Sequence, residues 1–155
     1  MKSNDQNILE KTLTPDQSEN RAAIDETVLQ MLLGFGNDNN NTFLKELINI
    51  YLEETLHLIS EMKTASENIK METFTRAAHT LKSSSANLGA MHLSEMCKEL
   101  EELGKSRNLN DIPKKITAVE QEFQRVNTAL KKLQLLSQKN ATEKQSDQSI
   151  LTKNE

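Results

Sequence analysis

Apolar residues recur along this chain at the spacing of helices. Val28, Leu29, Leu32 and Leu33 share one side of a short helix that Asp25 can cap. Gly34-Phe35-Gly36 ends that helix, and Asn37 to Asn41 form a polar loop. A long helix then starts at Asn41 or Thr42. Its apolar positions, Phe43, Leu44, Leu47, Ile48, Tyr51, Leu52, Thr55, Leu58, Ile59 and Met62, lie three and four apart, as a single buried stripe requires. Residues 64–70 make the next connection. A third helix is predicted from about Met71 to Asn87, closed by Gly89 just past its last turn. The fourth carries Leu93, Met96, Cys97, Leu100 and Leu103 and stops near Gly104. A loop at Asn108 to Asp111 follows, with Pro113 in the first turn of the last helix.

In that last helix Ile112, Ile116, Val119, Phe123, Val126, Leu130 and Leu133 alternate in steps of four and three, a heptad seam. Such a seam serves an intermolecular coiled coil or the inside of a bundle. Three other amphipathic helices are present to receive it, which favours a bundle closed within one chain. The expected fold is therefore all-α, an antiparallel up-down four-helix bundle over residues 23–137 with an additional short N-terminal helix across one end. Residues 1–22 are polar and lack apolar periodicity, so a disordered tail is expected there, with a turn at Thr14-Pro15-Asp16. Residues 138–155 are polar again and read as a flexible tail.

The third helix carries the candidate chemistry. Wound at 100° per residue, it gathers Phe74, Ala77, Ala78, Leu81, Ser84, Ser85 and Leu88 on one side. His79 falls in the middle of the opposite, polar face, among Glu72, Thr75, Arg76, Lys82, Ser83 and Ala86. Lys82 and Ser83 lie one turn above the imidazole and Ala86 two turns above. A cation stands beside the ring, and small side chains leave one flank open to something large. A neutral imidazole is a competent nucleophile near pH 7. Attack on a phosphoryl group would give a phosphoramidate of high transfer potential, and Lys82 could balance the phosphoryl charge.

The stretch Ala78-His79-Thr80-Leu81-Lys82-Ser83-Ser84-Ser85-Ala86-Asn87-Leu88-Gly89-Ala90 resembles the signature of the histidine-containing phosphotransfer domain. That pattern reads roughly Ala-His-x-Leu-Lys-Gly-Ser-[Ser/Ala]-x-x-Leu-Gly-Ala. Each fixed position matches except one, where Ser83 replaces the usual glycine. The resemblance extends over about residues 22–136. It implies a phosphorelay intermediate in which His79 accepts a phosphoryl group from the aspartate of a receiver domain and passes it to a response regulator receiver. It also implies that the receiver supplies the phosphoaspartate, the Mg²⁺ site and a lysine of its own. The chain itself would bind no cofactor and no metal, and would have no ATP-dependent kinase activity. A hybrid sensor histidine kinase is the implied upstream partner. Thr75, Arg76, Ser83 and Ala86 would meet the partner, while Asn87 and Gly89 would end the helix and turn the chain. Ser83 adds a hydroxymethyl group at that contact.

Composition and charge narrow the alternatives. Aromatic residues make up 3% and tryptophan is absent, which suits a bundle packed with Leu, Ile and Met. The formal charge of −4 argues against a nucleic-acid binder, which would show a basic stripe. No 18-residue apolar run and no apolar signal core occur, so neither a membrane span nor an export signal is read. One cysteine excludes an internal disulfide and fits a reducing compartment; a cytoplasmic, monomeric and free-standing protein is the expectation. There is no Gly-rich phosphate loop and no acidic cluster for a metal. His92 and Cys97 are five apart, on different helical faces, which disfavours zinc. Cys97 reads as core, His57 as a boundary residue, His92 as exposed, and the run from Glu99 to Glu102 as a solvated face. The competing function is a helical module that binds and regulates a receiver or another signalling protein without being phosphorylated.

Overall fold

In the computed structural model, residues 21–34 and 42–152 are described, with side chains as far as residue 139. The expectations for residues 1–20, for Phe35 and Gly36, and for the loop to Asn41 lie outside that range. Five helices are present among the described residues, α1 (Glu26–Gly34), α2 (Thr42–Glu67), α3 (Met71–Asn87), α4 (Met91–Ser106) and α5 (Ile112–Thr152), and no strand. The four long helices form a closed ring in which α2 packs on α3, α3 on α4, α4 on α5, and α5 back on α2. Cross-links between helices show that each neighbour runs antiparallel to the last. Tyr51 meets Ser85 and Glu61 meets Arg76 across α2 and α3, while Glu120 meets Lys63 and Gln134 meets Asn49 across α5 and α2.

The interior is the stripe that the periodicity predicts. All seven seam residues of α5 are buried, from Ile112 to Leu133. Leu44, Ile48, Tyr51, Thr55, Leu58, Ile59 and Met62 are buried from α2, and Phe74, Ala77, Ala78 and Leu81 from α3. Burying each such Leu, Ile or Phe side chain is worth about 1.5–3 kcal/mol, which makes this stripe the main source of stability. Asp25 caps α1, its Oδ1 accepting from the backbone N–H of Thr27 at 2.8 Å and of Val28 at 3.4 Å. The first turn of α1 is pinned to the turn after α3, where the Asp25 N–H donates to Gly89 O at 2.8 Å. Gly89 adopts φ +82°, and a Cβ there would lie 2.7 Å from Val28 Cβ, so glycine is needed for both the turn and the contact.

Several details differ from the sequence expectation. Phe43, placed on the α2 stripe, is 58% exposed, because the neighbouring Leu44, at 1% exposure, takes the inward position of that first turn and turns Phe43 outward. Gly104 does not stop α4. It is a buried helical residue, and the helix ends at Ser106 with Arg107 in the left-handed conformation. A Cβ on Gly104 would strike Thr75 Oγ1 and sit 2.9 Å from Phe74 Cδ1, so the glycine is present to let α3 and α4 approach. The last helix continues to Thr152, well beyond the boundary expected near Leu136. Residues 137–152 contain neither Gly nor Pro, so nothing in them breaks the helix where the apolar seam has ended. His92 is not simply exposed, since its side chain is 21% accessible and Nδ1 lies 4.0 Å from Glu95 Oε2.

Candidate functional site

The close approach at Gly104 determines what faces His79. With α3 and α4 antiparallel and in contact, Thr75 lies opposite Gly104 and His79 lies opposite Glu101. Ser94 secures the other end of this pair, its Oγ donating to Lys82 O at 2.8 Å. The His79 side chain is 59% exposed, as the helical wheel predicts, whereas that of Glu101 is only 7% exposed. Glu101 therefore departs from the sequence expectation of a solvated acidic run. It sits on the flank of the buried α4 stripe, four residues after Cys97 and three before Gly104.

Glu101 organises the site. Its Oε1 accepts from His79 Nδ1 at 3.1 Å and from Lys105 Nζ at 2.8 Å, and its Oε2 accepts from Lys82 Nζ at 2.6 Å. Hydrogen bonds from Lys105, then Lys82, then His79 hold its carboxyl down at about 2 against the opposing effect of burial. The carboxylate is ionised at any physiological pH and can only accept, so Nδ1 of His79 carries the proton. The lone pair is then on Nε2, on the far side of the ring. The fold thus supplies a fixed tautomer with a nucleophilic nitrogen directed away from its anchor.

Lys82 is brought to the site, but it is engaged with Glu101 and 28% exposed. Arg76 is exposed and reaches Glu61 at 3.4 Å. Thr75, Arg76, His79, Glu101, Gly104, Lys105 and neighbouring residues line an open groove of about 430 Å³ that runs from the imidazole toward Met71 and Arg107. Ser83 and Ala86 do not line it. They lie on the other side of His79, Ser83 exposed and Ala86 half-buried, and the Ser83 hydroxyl is turned back to donate to His79 O at 3.2 Å. Asn87 is the last residue of α3, and Gly89 makes the turn. His57 is exposed on α2 and Cys97 is fully buried. Among the described residues no three His, Cys, Asp or Glu side chains gather as metal ligands. Nor is any helix there long and apolar enough to cross a membrane.

Glu101 and Lys105 were missed by the sequence reading. One signal was available. Glu101 follows Leu100 and lies four residues after Cys97, which puts it on the edge of the apolar stripe, and a glutamate held there needs a cationic partner.

Comparison with known proteins places this geometry. The family model for the Hpt domain matches residues 46–129, more than half of the chain. Multistep phosphorelay regulator 1 of Schizosaccharomyces pombe is 26% identical over 96 residues, a match covering 62% of this chain and 32% of that protein. Histidine-containing phosphotransfer protein 2 of Arabidopsis thaliana is 25% identical over 96 residues, covering 60% of this chain and 62% of the relative. The chain thus spans less than two thirds of the length of either relative. Among solved structures, histidine-containing phosphotransfer protein B of Pseudomonas aeruginosa superposes with a TM-score of 0.66 at 26% identity, over 73% of this chain and 95% of the other. A maize protein, ZmHP2, shares the fold at a TM-score of 0.62 and 23% identity, over 74% of this chain and 90% of the other. The match over the bundle core, together with the shared four-helix fold, shows that the chain belongs to the Hpt domain family, whose members act as phosphotransfer intermediates in multistep phosphorelays.

Proposed function

We propose that this chain is a phosphorelay intermediate in which Nε2 of His79 carries the phosphoryl group. The observation that carries this reading is the hydrogen bond from His79 Nδ1 to the buried, ionised Glu101, which leaves the Nε2 lone pair exposed. Nε2 attacks the phosphorus of a receiver's phosphoaspartate. The N–P bond forms as the acyl O–P bond breaks, and the carboxylate departs with the electron pair. The ring becomes positive with Nδ1 still protonated, and the Glu101 carboxylate facing that N–H stabilises the charge. Lys82 moves from Glu101 to the phosphoryl oxygens, while Lys105 stays on Glu101 and keeps the buried carboxylate paired. Transfer to the acceptor receiver runs the same steps in reverse.

Thr75, Arg76, Ser83 and Ala86 contact the partner in this reading. Mg²⁺ belongs to the receiver, where it would neutralise phosphoryl charge. The upstream partner is a hybrid sensor histidine kinase, and the chain acts as a cytoplasmic monomer without kinase activity toward ATP.

The test is a transfer assay with a labelled phospho-receiver and Mg²⁺, run on wild type and on His79→Gln. Acid-labile, base-stable label on wild type alone is the expected result. Label on both proteins would move the phosphosite away from His79. Binding of receivers without label on either would favour a docking module that is never phosphorylated.

A further inference from the structure

Two helices that finish at the same end of the bundle close on a left-handed residue that is not glycine, unlike α3, which makes the same closure at Gly89. At the end of α2 the Lys70 N–H donates to Ala65 O at 2.8 Å and the Ile69 N–H to Ser66 O at 3.3 Å. At the end of α4 the Asn108 N–H donates to Leu103 O at 3.1 Å and the Arg107 N–H to Gly104 O at 3.3 Å. Both closures place one residue in the left-handed conformation, Ile69 at φ 56° and Arg107 at φ 57°. Glycine or asparagine is the usual occupant of that position, and a β-branched side chain suits it least. Neither residue recovers the strain inside the molecule. Ile69 is 63% exposed, and Arg107 is exposed and makes no ion pair among the described residues.

The two strained residues share one surface. Ile69 and Arg107 line a single depression together with Lys70, Met71, Glu72 and Thr73. Arg107 also lines the groove that leads to His79. Around this continuous surface stand Lys70 and Arg107, with Arg76 paired to Glu61 and Lys105 paired to Glu101, and Glu72 is the only exposed acid of the lining, in a chain whose net charge is −4. Strain retained at an exposed pair beside a candidate site is a pointer to function.

We propose that Ile69 and Arg107 form a two-point docking anchor for the receiver that exchanges its phosphoryl group with His79. Ile69 seats an apolar contact, and Arg107 pairs with an acidic group of the partner. The proposal rests on the relay reading above and adds to it the place where the partner is selected. The charge of the rim identifies the occupant, because a receiver must present an acidic, aspartate-bearing face to His79.

The experiment compares the full chain with Ile69→Gly, Arg107→Gly and Ile69→Leu, using as probe a phospho-receiver that transfers to wild type. Each glycine variant relieves strain, and its thermal midpoint should rise by about 2–4 °C. Its KM for the receiver should rise about tenfold, with the loss falling on KM rather than on kcat. Ile69→Leu, which keeps the apolar bulk, should restore a KM near that of wild type. Arg107→Gly should flatten the salt dependence of KM. Glycine variants with unchanged KM would overturn the proposal, as would glycine variants that melt earlier. A changed sedimentation coefficient in Ile69→Gly would assign the surface to self-association instead, and overturn it too. Failure of wild type to accept label from any receiver would refute the relay reading itself, a result that the variants are not needed to see.

Discussion

A single buried carboxylate decides the chemistry available at His79. Glu101 accepts from one imidazole nitrogen and two ammonium groups, and removing it would release all three. In Glu101→Ala the ring can take either tautomer and Lys82 has no fixed position. A hydrogen bond to a charged group is worth about 1.5–3 kcal/mol, so single-turnover transfer should slow roughly tenfold or more. Stability should show the same residue. Glu101 titrates at about 2 in the folded chain, while an unfolded glutamate titrates near 4.3. Its folded pKa is the lower, so its contribution is present in full above about pH 4.3 and is lost as pH falls toward 2. Urea titrations between pH 5 and 2.5 should therefore show wild type losing stability faster than Glu101→Gln, and parallel curves would refute this. His79 and Lys82 were legible in the sequence because a continuous motif holds them at fixed helical spacing. Glu101 was not, because its burial depends on how closely another helix approaches.

That approach is a property of the helix pair. Gly104 faces Thr75 and Phe74 with no room for a Cβ, so Gly104→Ala must push α4 away from α3 or force Phe74 from its rotamer. Overpacking of this kind costs about 1–3 kcal/mol, which urea denaturation would register as a lower midpoint at constant m-value. The same displacement lengthens the reach from Glu101 to His79, so transfer should fall along with stability. An alanine variant as stable as wild type would show that the two helices are not held at this distance. Helix identities and inner faces could be read from spacing alone, because each long helix presents a period of 3.6 to a common interior. Helix ends were read less well. Gly104 resembles a terminator in sequence, yet the ends of α2 and α4 are closed by Ile69 and Arg107, which carry no such signal. The length of α5 was underestimated for a related reason, since apolar periodicity marks where a helix packs and not where it stops.

At the scale of the whole molecule, the ring of four helices leaves its interior closed to reagents. Cys97 lies at 0% exposure inside it, and burial pushes its thiol up to about 12. In the native protein at pH 8 the thiol should be inert to disulfide reagents, and it should react at a rate that tracks global opening. Fast modification without loss of helicity would mean that the core opens locally at α4. The antiparallel arrangement followed from four amphipathic helices joined by short connections, so the architecture was legible before any coordinates. The meeting of Tyr51 with Ser85 was not. This pair joins α2 to α3 through a buried 2.9 Å hydrogen bond. Because the chain has one tyrosine and no tryptophan, emission excited at wavelengths that phenylalanine does not absorb comes from that phenol. Intrinsic fluorescence is therefore a label-free readout of the seam behind the helix that carries His79, and in an alkaline absorbance titration the buried phenol should ionise at a higher pH in the folded chain than in the unfolded one.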